Sequence, residues 1–127
     1  MNSILITIPS ISSSLHSHTA GALYMLGKLL DKNSIQNYLF ILNNHSFIPS
    51  ARNIIANTFI NTNCSHLLCI DSDIGFTAED VLALLNMNEE FASAHYRRKS
   101  ETGARMSSVK KDDKLIGVGF GFCLLAR

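Results

Sequence analysis

Three short apolar runs decide most of what this chain can fold into: residues 4–8 (Ile-Leu-Ile-Thr-Ile), 38–42 (Tyr-Leu-Phe-Ile-Leu) and 66–70 (His-Leu-Leu-Cys-Ile). None contains Asp, Glu, Lys or Arg, and each ends at turn-forming residues: Pro9-Ser10, Asn43-Asn44 and Asp71-Ser72-Asp73. Continuous apolar runs of this length predict strands buried on both faces. Between them the spacing turns helical. Ala20, Leu23, Leu26 and Leu30 recur at three- and four-residue steps over residues 19–31, which predicts a helix packed on the first strand. Pro49 suits the first turn of a second helix whose apolar face would be Ala51, Ile54, Ile55 and Phe59. A third helix has the clearest start: Thr77 to cap the amides, Asp80 to reach back, and Phe76 and Val81 as the staple around them. It runs to about Met87. A fourth strand is expected over residues 91–96, followed by a glycine-broken apolar run over 115–125. This β-α alternation predicts an α/β fold, a mostly parallel, Rossmann-like sheet with helices on both faces.

Composition narrows the class. At 127 residues the chain supports a single domain over residues 1–127. With 46% hydrophobic and 17% charged residues it is too apolar for a disordered tail. A net charge of +1 gives no global attraction to nucleic acid, and none is expected as a partner. No apolar run approaches the roughly 20 residues of a membrane-spanning helix. The first residues, Met1-Asn2-Ser3-Ile4-Leu5, lack the basic region of a signal peptide. Three cysteines, Cys64, Cys69 and Cys123, form no disulfide framework and suit a reducing compartment, so the expected location is cytoplasmic. The neutral total hides an asymmetry. Residues 1–96 hold three Lys or Arg against seven acids, and residues 97–127 hold eight against three. The basic stretch, about 97–114, has few large apolar residues and reads as a solvated, mobile loop.

Chemistry concentrates at Asp71 and Asp73. Two carboxylates one residue apart, just past a buried strand, need their charge compensated. On an extended segment they point the same way, about 7 Å apart by the strand repeat, and a turn after Ile70 would draw them together. Mg²⁺ or Mn²⁺ pairs one or two such carboxylates with phosphate oxygens, so a metal-bridged diphosphate is one reading. The other has one aspartate capping Gly75-Phe76-Thr77 and its neighbour solvated. In an open α/β sheet ligands bind beyond the carboxyl ends of the strands, where this pair falls.

The stretch Ser50-Ala51-Arg52-Asn53, a helix, and then His66-Leu67-Leu68-Cys69-Ile70-Asp71-Ser72-Asp73-Ile74-Gly75-Phe76 resembles the nucleotide-sugar-binding half of GT-A glycosyltransferases, most of all the family-2 type. Tyr96, near the end of the expected fourth strand, and Gly117-Val118-Gly119-Phe120-Gly121-Phe122, similar to a G-x-G-F segment after the acceptor loop, extend the resemblance over residues 3–125. It implies a nucleotide-diphosphate sugar as donor, Mn²⁺ or Mg²⁺ as cofactor, and a glycan, lipid or protein as acceptor. Asp73 would ligate the metal directly, and Asp71 would contact the ribose or a metal-bound water. Arg52 would lie near the base or its phosphates, where a planar cation suits anions. Thr7, Ile8, Pro9 and Ser10 would shape the base pocket with backbone groups. Asn43 or Asn44 stands where the family often places an aspartate against uracil, which leaves the base open. A metal would offset charge on the leaving diphosphate while an acceptor hydroxyl attacks the sugar.

Other residues carry weaker signals. Arg52 equally suits a salt bridge to a nearby acid. His16, His18, His45, His66 and His95 show no zinc spacing, and only His45 is positioned to approach a ligand. Cys64 and Cys69 read as small apolar fillers. Gly117, Gly119 and Gly121 would share one face of a strand, and cations of the basic stretch could hold a diphosphate. A dehalogenase-like phosphatase also places D-x-D after a strand, with Lys110-Lys111-Asp112-Asp113 resembling its later residues. There, however, the motif follows the first strand, and Gly75 stands where Thr or Val belongs. No motif supplies a general base, with Glu89, Glu90 and Glu101 the available acids. A catalytically silent nucleotide-sugar-binding or assembly module is the rival from another class, and a homo-oligomer is one expected assembly. The short chain leaves little for an acceptor half, so a part of a larger transferase, or one completed by a partner or second copy, is expected over a minimal enzyme.

Overall fold

The structure is a computed structural model that describes residues 2–95, 97–98, 105–106, 109–117 and 119–127. Strand β1 (Ser3–Pro9) is followed by helix α1 (Ser17–Lys32), β2 (Gln36–Leu42), α2 (Ile48–Ile60), β3 (His66–Ile70) and α3 (Ala78–Asn86). Then come β4 (Phe91–Ser93), β5 (Arg97–Arg98), β6 (Arg105–Met106), β7 (Val109–Lys111), β8 (Lys114–Gly117) and β9 (Phe122–Ala126). Five strands form the main sheet in the order β2-β1-β3-β9-β4. Strand β1 pairs in parallel with β2 and β3, while β9 runs antiparallel to both β3 and β4.

The sheet is therefore mixed, and the expectation of a mostly parallel one is corrected. The cause is the connection that precedes β9. A parallel return needs a crossover of a dozen or more residues, usually a helix. Between β4 and β9 the described residues contain only two small ladders, β5 with β6 and β7 with β8. The chain leaves β4 at the carboxyl end of the sheet and re-enters at that same end, so β9 runs backwards between β3 and β4. The described parts of the basic stretch are short strands and one turn. In the β7–β8 hairpin Asp112 and Asp113 both have positive φ, 51° and 58°, the backbone of a two-residue hairpin turn. Residues 117, 119 and 121 share no strand: Gly117 ends β8, and Gly121 precedes β9.

The helices lie on both faces, as expected. On one face Ile4, Ile6, Ile8, Leu68 and Ile70 pack with Leu26 and Leu30 of α1, Val81 and Leu84 of α3, and Phe122 and Leu124 of β9. On the other, Leu5, Leu67, Cys69 and Cys123 pack with Ile55 of α2 and with Cys64. The cysteines are buried and unbridged, as apolar fillers would be. Helix faces follow the sequence with two corrections: Ala20 and Ile54 are exposed, because the buried arcs of α1 and α2 are narrower than their apolar periodicity. The capping box of α3 is present, with Thr77 N–H donating to Asp80 at 2.7 Å and Asp80 N–H to Thr77 at 3.3 Å. Phe76 and Val81 belong to the same core cluster. Strand β2 corrects a further expectation. It is an edge strand with Tyr38 and Leu39 54% and 53% exposed, not a strand buried on both faces.

Candidate functional site

The carboxyl ends of β1, β2 and β3 lie side by side, and the turn Asp71-Ser72-Asp73-Ile74 leaves β3 there. Its shape is set by backbone partners. Ile74 N–H donates to Asp71 C=O at 3.2 Å, closing the turn, and Asp71 N–H donates to Gly121 C=O at 2.8 Å, tying it to the entry of β9. The start of α1 holds the other side. Ser72 C=O accepts from His16 N–H at 3.4 Å and from Thr19 Oγ1 at 3.2 Å, and Thr19 Oγ1 also lies 3.2 Å from Ile74 C=O. Thr19 is 0% exposed. A buried hydroxyl with carbonyl partners costs little, whereas one left without them is expensive.

Arg52, in the second turn of α2, reaches this point from the opposite face. Its Nη2 lies 3.4 Å from Asp71 Oδ1, and its Nη1 donates to Phe120 C=O at 3.3 Å. The guanidinium also sits 4.7 Å from the centre of the Phe120 ring, a cation–π contact. Phe91 stacks on Phe120 with ring centres 6.1 Å apart. Arg52 is thereby held as a fixed planar cation beside the first aspartate. The salt bridge reading of Arg52 is realised, and its partner is a residue of the D-x-D motif.

Electrostatically, Asp71 is pulled in opposite directions. Burial pushes the Asp71 carboxyl above its ordinary range; Arg52 pulls it down, and the charge of Asp73 pushes it up again. A carboxylate whose pKa is raised by burial and by a like-charged neighbour is a feature of sites that receive a cation or proton. Asp71 and Asp73 offer hard oxygen donors, half-buried at the rim of the sheet. Among the described residues no group of three or more His, Cys, Asp or Glu is gathered as a metal cluster. That donor set fits an ion such as Mg²⁺ or Mn²⁺, which takes one or two carboxylates and completes its shell with water and phosphate. It does not fit a tetrahedral zinc centre.

The remaining expected residues divide. Thr7 is 0% exposed, and its hydroxyl donates into the sheet, to Leu68 C=O at 3.0 Å. Its side chain is interior, because the alternation of β1 turns it toward α2 and Cys69. Pro9 is buried at the end of β1, beside the rim. Ser10 N–H donates to Leu42 C=O at 2.9 Å, and Ser10 C=O accepts from His45 N–H at 3.1 Å, so the loops after β1 and β2 are joined. Asn43 is exposed at that junction; Asn44, at φ 56°, accepts from Ser13 Oγ at 3.2 Å. His45 Nε2 lies 3.0 Å from Ser50 Oγ, a loop-to-helix contact. Asn53, next to Arg52, is exposed. Tyr96 lies outside the described residues.

Thr19, His18, Phe120 and Gly121 take part in the site in roles the sequence reading did not give them. Thr19 had a faint signal, since it precedes Leu23, Leu26 and Leu30 at helical steps and so belongs to the buried face. His18 Nε2 is 3.4 Å from Asp73 C=O, and His18 also borders a cavity of about 460 Å³ along α1, lined further by Met25, Leu29, Phe76 and Ala78. Phe120 and Gly121 stand far from Arg52 and Asp71 in sequence, and nothing local signalled their contacts with them. No protein-family model, no curated protein and no solved structure matches this chain.

Proposed function

We propose that this chain binds a nucleoside-diphosphate sugar at the carboxyl rim of its sheet and serves glycosyl transfer from it. One observation carries the reading: Arg52, on the helix before β3, meets Asp71 of the Asp71-Ser72-Asp73 turn at 3.4 Å. A fixed cation beside two carboxylates suits a diphosphate that arrives with a divalent metal. Asp71 and Asp73 are the residues that would hold Mg²⁺ or Mn²⁺. The bound ion would supply positive charge against the diphosphate as it leaves.

The chain's own groups would do the rest. Arg52, kept planar against Phe120, presents N–H groups to phosphate oxygens without reorganising, which is where preorganised charge is most effective. Thr19 and the start of α1 fix the turn, so both carboxylates hold their directions. The loops joined through Ser10 and His45, with Pro9 and Asn43 at their junction, give the nucleoside a wall of backbone amides and carbonyls. An acceptor hydroxyl would attack the anomeric carbon as the bond to the diphosphate oxygen breaks.

Calorimetric titration with UDP-, GDP- and CDP-sugars tests this, with Mn²⁺, with Mg²⁺ and with chelator. Metal-dependent binding of one of these, weakened at least tenfold in Asp73→Ala, is the expected result. Failure of all of them to bind, or binding indifferent to both metal and Asp73, would overturn the site. Binding with neither hydrolysis nor transfer would leave a nucleotide-sugar-binding module in place of a transferase.

A further inference from the structure

Among the described residues strand β2 has an unpaired outer edge, and its own sequence has no charge, proline or bulge to protect it. Natural edge strands are blunted by shortness, by Lys or Pro, or by a bulge. β2 is seven residues long, Gln36–Leu42, and holds no charged residue and no proline. Its pairing with β1 runs without a register shift from Ser3↔Gln36 to Pro9↔Leu42. Among the described residues no strand lies on its other side. The opposite edge of the sheet differs, because β4 has only three residues.

We propose that β2 pairs antiparallel with β2 of a second copy of this chain, about a two-fold axis through Leu39, to make one continuous ten-stranded sheet. The backbone fixes this register. Leu42 C=O accepts from Ser10 N–H, so the amide and carbonyl of Leu42 face β1. By strand alternation those of Asn37, Leu39 and Ile41 face outward. Antiparallel pairing centred on Leu39 sets Leu39 opposite Leu39 and Asn37 opposite Ile41, and every outward group of these residues finds a partner. Tyr38 then falls opposite Phe40 of the second copy, in the closer non-hydrogen-bonded position, once on each side of the axis.

The side chains agree with that register. Phe40 packs in the α2-side core and Ile41 in the α1-side core, so Tyr38 and Phe40 share the α2 side and aromatic residues meet across the axis. Gln36 and Tyr38 also border a cavity of about 320 Å³ lined by Leu5, Thr62 and Cys64, and the pairing brings Leu42 of the second copy alongside Gln36. Tyr38 and Leu39, each more than half exposed in the single chain, become covered. A second copy is favoured over a foreign strand because the segment is uncharged and meets itself without repulsion. A two-fold pairing also closes after two chains, and the three-residue β4 offers no comparable second edge.

Sedimentation equilibrium gives the first measurement, with about twice the 14.0 kDa chain mass expected at micromolar concentrations. Leu39→Lys, which places two ammonium groups at the axis, should return the mass to that of one chain with an unchanged far-ultraviolet circular dichroism spectrum. Leu39→Cys with a short bis-maleimide reads the register directly. The native cysteines are buried, so the wild type is the blank, and Ile60→Cys, at a 68% exposed site on α2, controls for random encounter. Cross-linking at least tenfold faster through position 39 than through position 60 supports the proposal. Overturning results would be a monomeric wild type, a dimer that survives Leu39→Lys, or equal rates at the two positions.

Discussion

Strands β2 and β3 flank β1 on its two sides and have comparable apolar sequences, yet they do opposite work. β3 is enclosed by β1, β9 and helices on both faces, with Leu68 0% exposed. Among the described residues β2 has one strand neighbour, and it leaves Tyr38 and Leu39 largely in solvent. Their exits differ in the same sense. The turn after β3 is held by Thr19, His16, Gly121 and Arg52, whereas the turn after β2 ends at exposed Asn43 and is held by serines and backbone. A strand fixed on every side can hold two carboxylates in place at its end. A strand with a free side can recruit another chain.

One substitution made in both strands tests this contrast with the largest effect. Leu68→Ala should lower unfolding free energy by about 2–5 kcal/mol, the range for a large-to-small change in a closed core. Leu39→Ala should cost less than about 1 kcal/mol at concentrations where the chain is monomeric. Urea unfolding of the two variants gives the comparison, and similar losses would break it.

The two exits separate next. Thr19→Val leaves the carbonyls of Ser72 and Ile74 without their buried donor, and about 1–3 kcal/mol is expected from that loss. Metal-dependent nucleotide binding should weaken as the turn loosens. Ser13→Ala, at the exposed contact to Asn44, should change stability by no more than about 0.5 kcal/mol. Thermal unfolding followed by titration of the folded variants measures both effects. Equal binding by Thr19→Val and wild type would remove α1 from the site.

The smallest effects are pH-dependent and differ in sign at the two ends of β3. Asp71 has its pKa raised above 3.8, chiefly by burial. The folded state therefore holds this proton more tightly, and its stabilising contribution fades as pH rises through the raised value. Asp71→Asn should accordingly be slightly more stable than wild type near neutral pH, by less than about 1 kcal/mol given partial solvent screening, while losing metal-dependent binding. His66, at the strand's entry, has its pKa lowered from 6.5 by burial. Its contribution is present above 6.5 and is lost as pH falls through the lowered value. His66→Gln should flatten that acid-side loss in a stability profile taken downward from about pH 7, just above the ordinary value, to about pH 5. A steeper loss in the variant would reverse the assignment.

Much of this molecule was legible locally. The three apolar runs became β1, β2 and β3. The spacing of Leu23, Leu26 and Leu30 marked the buried face of α1, and Thr77 with Asp80 marked the start of α3. Asp71 and Asp73 fell beyond the carboxyl end of a strand, as the β-α order required. Such features depend on residues within a few positions of one another, where sterics, periodicity and capping act directly.

Neighbour choice in the sheet was not legible in that way. An apolar run reports that a strand will form but not whether one side chain row or one backbone edge will meet solvent. That is why β2 reads like β3 and ends at the edge. The reversal of β9 came with a return whose described residues hold only short ladders, and the return put Phe120 and Gly121 against Arg52 and Asp71. Thr7 shows the same limit at one position, since its hydroxyl finds its partner, Leu68 C=O, on a strand far away in sequence. The sequence by itself determined the elements and the carboxylate pair, because local forces encode them. Only the tertiary structure decided which strand stayed open and what holds Arg52, because those follow from long-range closure and shared burial.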